Sequence, residues 1–144
     1  MVIRPYEDAD FDAVTSIWLA SWDSTPASVP GAVSLDFLRQ RLPQEIADGW
    51  KISVATSGDA VTGFLALQGN YLSQLWVAPE AQGKGIGSRM LAFVKGQLPR
   101  GFWLTTAAEN ISACRFYERA GLVRGEVGVH SRLGHVTVRY DWRP

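Results

Sequence analysis

A chain of 144 residues, 47% hydrophobic and 19% charged, is long enough to bury a core without covalent staples and reads as one globular domain over 1–144. Fourteen basic and fourteen acidic side chains cancel, which removes any global attraction to nucleic acid or an anionic membrane. No apolar run approaches the ~20 residues of a membrane span, "MVIRPYEDAD" has no basic-then-apolar leader, and the single cysteine, Cys114, cannot form an intrachain disulfide. A reducing, cytoplasmic location is expected.

In chain order, "VIRPY" predicts a short strand, at an edge because Pro5 cannot donate to a ladder. Asp10 is placed to cap a helix carrying Phe11, Val14, Ile17, Trp18 and Trp22 towards one side. "DSTPASVPGAV", with Pro26, Pro30 and Gly31, predicts a loop, and Ser34 a second N-cap before Leu35, Leu38, Leu42 and Ile46, with Pro43 ending or bending that helix. The period then changes to two. "KISVATS", "AVTGFLALQ" and "YLSQLWVA" read as strands joined at Gly58-Asp59 and Gly69-Asn70. A helix follows from about Gly85 to Leu98, with Ile86, Met90, Leu91 and Val94 inward and Pro99 as its stop. "GFWLTTAA" is a strand, Asn110 caps a helix over "ISACRFYERA" that Gly121 ends, and two strands surround "SRLG". The order β-α-α-β-β-β-α-β-α-β-β describes a mixed α/β (α+β) sheet, antiparallel early, with one crossover through a glycine segment.

That segment, "VAPEAQGKGIGSRML", places Gly83, Gly85 and Gly87 between a strand and a helix start. Free N–H groups and the helix dipole make such a turn an anion site, so phosphate is the natural ligand. The nucleoside-triphosphate loop pattern fails because Ser88-Arg89 follows Gly87 and Lys84 comes too early. The dinucleotide fingerprint fails on spacing. What remains is Q-x-x-G-x-G: Gln82, Gly85 and Gly87, after a strand ending "LWVAPE".

This pattern resembles the central motif of the GNAT family of acyl-CoA-dependent N-acetyltransferases, and "ENISACRFYERAGL" resembles the family's later signature. The element order is similar to the family's from end to end. The resemblance implies an N-acetyltransferase that moves an acetyl group from acetyl-CoA to a primary amine in a ternary complex. A non-catalytic acyl-CoA-binding module is the rival reading. It also implies that the N–H groups of Gly83, Lys84, Gly85, Ile86, Gly87 and Ser88 cradle the pyrophosphate of coenzyme A. Gln82 would open the loop, and a side chain at 85 or 87 would stand where the phosphates lie. Leu75, Trp76 and Val77 would offer backbone groups to the pantetheine arm, in a gap where this strand splays from Phe102–Ala107. Asn110 occupies the place where family members touch that arm.

Transfer from a thioester needs a neutral amine, a donor for the oxyanion and a proton for the thiolate. An N–H near Val77 would serve the second need. Tyr117 in "RFYERAG" resembles the family's tyrosine acid in position, a phenol of pKa about 10 facing a thiolate whose acid is near 8.5. Many relatives carry a carboxylate where this chain has Ser73, beside Gln74. Three accounts follow: the proton leaves through ordered water to a more distant group, a residue from elsewhere takes it, with Glu45, Asp23 and His130 as candidates, or this member is a poor catalyst. His130 and His135 otherwise read as solvated residues of the last hairpin, and no ligand spacing suggests a metal.

The acceptor is expected between the first two helices, residues 18–50, and the final hairpin. Trp18, Trp22 and Trp50 with Asp23, Asp36, Glu45 and Asp48 there would suit a cationic amine, unless the tryptophans are simply core. Charge agrees with that division: residues 1–81 hold four basic and ten acidic side chains, and 82–144 hold ten and four. The edge of the last hairpin is where two copies could pair into a homodimer.

Overall fold

The structure is a computed structural model describing residues 1–29 and 31–144; among these it contains seven strands, four α-helices and two short 3-10 turns. In order they are β1 (Val2–Pro5), α1 (Phe11–Asp23), α2 (Leu35–Ala47), β2 (Lys51–Ser57), β3 (Ala60–Gln68) and β4 (Tyr71–Val77). Then come α3 (Ile86–Gln97), β5 (Phe102–Ala107), α4 (Ile111–Arg119), β6 (Val123–Val129) and β7 (Val136–Trp142). This is the expected order. One mixed sheet runs β1-β2-β3-β4-β5-β7-β6, which puts Pro5 on an edge strand. Pro30, part of the expected loop, lies outside the described residues.

Two local expectations are corrected. Asp10 does not cap α1 through its side chain. Its carboxylate instead takes two hydrogen bonds from the Arg4 guanidinium, at 2.8 and 2.9 Å, and one from the Glu7 N–H at 2.8 Å. A 5% exposed aspartate needs that fork more than the helix needs a cap, and the fork ties β1 to the entry of α1. Pro43 neither ends nor visibly interrupts α2, which runs on to Ala47. The missing N–H costs one helical bond, but Leu38 and Leu42 on the same helix are 1% and 0% exposed, each burial worth about 2 kcal/mol. Packing wins. The Ser34 hydroxyl does cap α2, accepting from Phe37 N–H at 3.1 Å.

The helical faces follow their spacing. Val14, Ile17, Trp18 and Ser21 of α1 are buried, as are Ile86, Met90, Leu91 and Val94 of α3. Gly63 in β3 is needed for close approach: a Cβ there would lie 2.7 Å from the Trp76 carbonyl oxygen. No local sequence signal marks that need.

The feature that positions the site is the junction of β4 and β5. These parallel strands share a single register pair, Tyr71 with Trp103, whose rings stack at 4.2 Å, and Trp103 N–H donates to Asn70 at 3.1 Å. Beyond that point β5 pairs with β7 along Phe102–Ala107, and β4 pairs with β3. The centre of the sheet is splayed, as expected.

Candidate active site

On the β3 side, Ala78 N–H donates to Thr62 at 2.8 Å and Gly63 faces Val77. Antiparallel alternation then turns the Trp76 backbone groups towards β3 and those of Leu75 and Val77 towards the opening. The Val77 carbonyl is already occupied, accepting from Ser21 Oγ at 3.1 Å and from Gln82 Nε2 at 3.2 Å. Its N–H, and that of Leu75, face the gap.

Directly after β4, Gly83 and Gly85 both adopt φ +80, the left-handed region that favours glycine. Gly85 is the N-cap of α3. No N–H from Gly83 to Ser88 donates to another described residue; the first helical bond here is Arg89 N–H to Gly85 at 3.1 Å. Six consecutive unpartnered donors thus lie at the positive end of a helix, with Gln82, Lys84 and Ser88 exposed beside them. Ile86 differs from its neighbours: its side chain is buried, so only its N–H is available. The expectation that a side chain at 87 would stand among the phosphates is corrected: Gly87 has no positive φ, and a Cβ there would turn into the protein, 3.5 Å from the Phe116 ring and 3.8 Å from Val77, in ordinary contact. The first turn of α3, the end of β4 and α4 meet at this point.

On α4, Asn110 Oδ1 accepts from Ala113 N–H at 3.2 Å, the capping role expected of it, and its amide nitrogen is left over. Tyr117 is 8% exposed, its ring 5.2 Å from Phe116 and 5.8 Å from Tyr140. Burial, with Cys114 adding to it, pushes its phenol well above the ordinary value, so it holds its proton throughout the neutral range. Tyr140 donates to Glu118.

A cavity of about 550 Å³ opens on the other side of the splay. Its walls come from α1, α2, β4, β5 and the turn between β6 and β7, and they include Trp76 and Asn110. Trp18 and Trp50 belong to both the core and the cavity: they are 4% and 5% exposed and their rings lie 5.6 Å apart. Trp22 packs against His135 at 5.6 Å, and both Trp22 Nε1 and His135 Nδ1 are buried there without a partner among the described residues.

The family model described as "Acetyltransferase (GNAT) family" matches residues 12–122. The chain belongs to this family. It is 24% identical over 119 residues to the peptidyl-lysine N-acetyltransferase YjaB of Salmonella typhimurium, covering 83% of this chain and 81% of that one. An acetyltransferase from Thermus thermophilus shares the fold with a TM-score of 0.79 at 17% identity, over 99% of this chain and 96% of that one. So does yncA of Salmonella typhimurium, a putative acetyltransferase solved with its cofactor acetyl-CoA, with a TM-score of 0.75 at 20% identity over 99% and 93% of the two chains. The protein is thus an acetyltransferase of the GNAT fold.

Within this GNAT chain the sequence-predicted residues fall into three places. Gln82–Ser88 form the exposed backbone site, Trp76 and Asn110 line the cavity, and Tyr117 lines neither but packs beside the α3–α4 meeting point through Phe116. Of the expected bases, Asp23 is outside the cavity. Glu45 lines it, but its carboxylate accepts from Arg41 Nε at 3.2 Å. His130 also lines it, but its Nδ1 accepts from Arg132 N–H at 3.2 Å and Leu133 N–H at 3.0 Å. A neutral His130 therefore carries its proton on Nε2 and offers the cavity a donor. The two histidines stack at 4.8 Å, and burial holds both below the ordinary imidazole value. Asp36 and Asp48 line no part of the cavity, so the expected acidic wall is absent among the described residues. Sequence reasoning missed Arg41 and Arg132; the i,i+4 pairing of Arg41 with Glu45 was a readable signal, whereas the reach of Arg132 across to Phe37 was not.

Proposed function

We propose that this GNAT protein transfers an acetyl group from acetyl-CoA to an amine nitrogen by direct attack in a ternary complex. The observation that carries the reading is that six unpartnered N–H groups at Gly83–Ser88 follow directly on β4, the strand that parts from β5. The first suits a pyrophosphate and the second an extended pantetheine arm ending at the cavity. The Val77 or Leu75 N–H would meet the oxyanion, and Asn110 the arm. Tyr117 is assigned as the proton donor to the thiolate. The assignment rests on its position in the later motif; burial raises its phenol and so makes it a weaker acid than a free phenol, and the proton would pass only as the thiolate develops beside it. A single buried free thiol, Cys114, supports a reducing, cytoplasmic setting.

A specific observation favours a binding-only alternative: Ser73 stands in the cavity where many relatives have a carboxylate, and Glu45 is engaged by Arg41. Thiol release from acetyl-CoA across an amine panel, beside calorimetric binding of CoA, separates the two. Release with any acceptor establishes transfer; tight CoA binding without release selects the binding module.

We propose a second copy of the chain as the partner of β6. All seven residues of this edge strand are exposed, with Val123, Val127 and Val129 at 69%, 63% and 67%. Antiparallel self-pairing about Gly125 would set Arg124 against Glu126 of the copy. Sedimentation should give a dimer that Glu126→Arg dissociates.

A further inference from the structure

The cavity has a charge that neither the acidic first half of the sequence nor a cationic acceptor would lead one to expect. Its one carboxylate, Glu45, is held by Arg41. Arg41 is in turn fixed over Trp18 and Trp50, at 5.2 and 5.8 Å from their ring centroids, with Nε committed and its terminal nitrogens remaining. Arg132 reaches across from the β6–β7 turn to lie 4.6 Å over the Phe37 ring of α2, and no carboxylate among the described residues pairs with it. His130 adds an Nε2–H donor, and both guanidinium groups are near enough to help depress its imidazole. The Arg41–Glu45 pair is neutral as a unit, so the net positive charge of the wall is that of Arg132, and the terminal nitrogens of Arg41 and the His130 Nε2–H add donors for an anion. Around it the surface is aromatic.

We propose that the acceptor is an α-amino acid with an apolar or aromatic side chain, its carboxylate held by Arg41 and Arg132 and its α-amine facing the β4–β5 opening. This rests on the proposed acetyl transfer and narrows it. A cavity of about 550 Å³ holds such a molecule beside a thioester. Polyamines and lysine side chains bring positive charge against Arg41 and Arg132. The α-amine of a free amino acid also sheds its proton somewhat more readily than a lysine side chain. That suits a site whose only carboxylate is engaged. In the step, the neutral amine nitrogen bonds to the acetyl carbon and the carbon–sulfur bond breaks. The sulfur leaves as thiolate and takes a proton, while the nitrogen releases one to solvent, giving N-acetyl amino acid and CoA thiol.

The test is thiol release from acetyl-CoA with L-phenylalanine or L-methionine, each beside its own carboxamide, a diamine and a lysyl peptide. The carboxamides keep the side chain but carry a less basic α-amine, so the comparison is made at a pH where both amines are largely neutral and then reports the carboxylate. We expect kcat/KM to favour the free acid at least tenfold, and Arg132→Gln, on an exposed turn, to raise KM for the acid about tenfold with kcat little changed and to remove the preference. Arg41→Lys repeats the test on the wall packed into the core. Equal or better turnover of the carboxamide, diamine or peptide overturns the amino-acid assignment and leaves acetyl transfer standing. CoA binding with no release from any acceptor overturns both.

Discussion

The loop at 83–88 and the cavity beyond the splay are built from opposite materials. Backbone N–H groups of six neighbouring residues make the first, and its one strict demand on sequence is left-handed backbone at Gly83 and Gly85. Side chains from α1, α2, β4, β5 and the β6–β7 turn make the second, and Arg41, Glu45 and Arg132 act there only because the fold brings them together. On the proposed reading, backbone chemistry is the same for every acyl-CoA, so the loop would serve any acceptor. Side-chain chemistry changes with each substitution, so selectivity would reside in the cavity. The difference teaches where to cut: changes at the loop should remove binding of the donor, and changes at the cavity should redirect or slow the reaction with the donor still bound.

The sharpest way to break this division is Gly85→Glu. It places a carboxylate among the phosphate-facing donors at φ +80, where a Cβ meets nothing within 4 Å. We expect CoA affinity to fall at least ~10²-fold by calorimetry while the strained backbone costs only about 1–2 kcal/mol of stability. Retained binding would move the pyrophosphate elsewhere. Next is Tyr117→Phe, expected to lower kcat ~10²-fold with CoA affinity unchanged, measured by thiol release and calorimetry. The ring and its packing on Phe116 and Tyr140 are kept, so the melting temperature should hardly move. An unchanged kcat would leave Tyr117 as packing alone.

Gly87→Ala is a finer probe. Its Cβ would only touch Phe116 at 3.5 Å, and helical Ala is favoured over Gly by about 0.5–1 kcal/mol, so the fold should be as stable or slightly more so. Because that Cβ turns towards Phe116 and Val77 and leaves the N–H groups uncovered, CoA affinity by calorimetry should be little changed, and a large loss would place the phosphates on the Phe116 side of the helix start. The smallest effect belongs to the cavity side. Burial holds His130 and His135 below the ordinary imidazole value; His135, Arg41 and Arg132 add to it at His130, and Glu109 opposes it at His135. The unfolded chain therefore binds protons first as pH drops through about 6.5, and this stability is present above that pH and lost as pH falls through the lowered folded values. Thermal melts should show the decline, and His130→Asn, whose Oδ1 can accept from Arg132 and Leu133 N–H as Nδ1 does, should flatten it at a cost below about 1 kcal/mol.

What could be read from sequence follows the same line. Gln82, Gly83, Gly85 and the strand before them are close neighbours in the chain, so motif, turn and helix start carry one another. Asn110 and Gly121 bracket α4 by the same local logic, and the β-period runs meet at turns where glycine and aspartate or asparagine stand. Asp10 misled because its partner, Arg4, comes from another element, and a buried carboxylate seeks a guanidinium before a helix end. Pro43 misled because propensity was weighed without the burial of Leu38 and Leu42. The carboxylates Asp23, Asp36, Glu45 and Asp48 suggested an acidic pocket because composition counts charges without saying which way they face; only Glu45 lines the cavity.

The tryptophans carry a consequence for how the protein can be watched. Trp18, Trp22, Trp50 and Trp76, four of the six, stand around one cavity, while the chain from 77 to 102 has none. The intrinsic emission of the protein is therefore largely a view into this cavity, and the glycine loop is nearly dark. Filling the cavity should change the emission of an unlabelled sample, and filling the loop alone should leave it nearly unchanged.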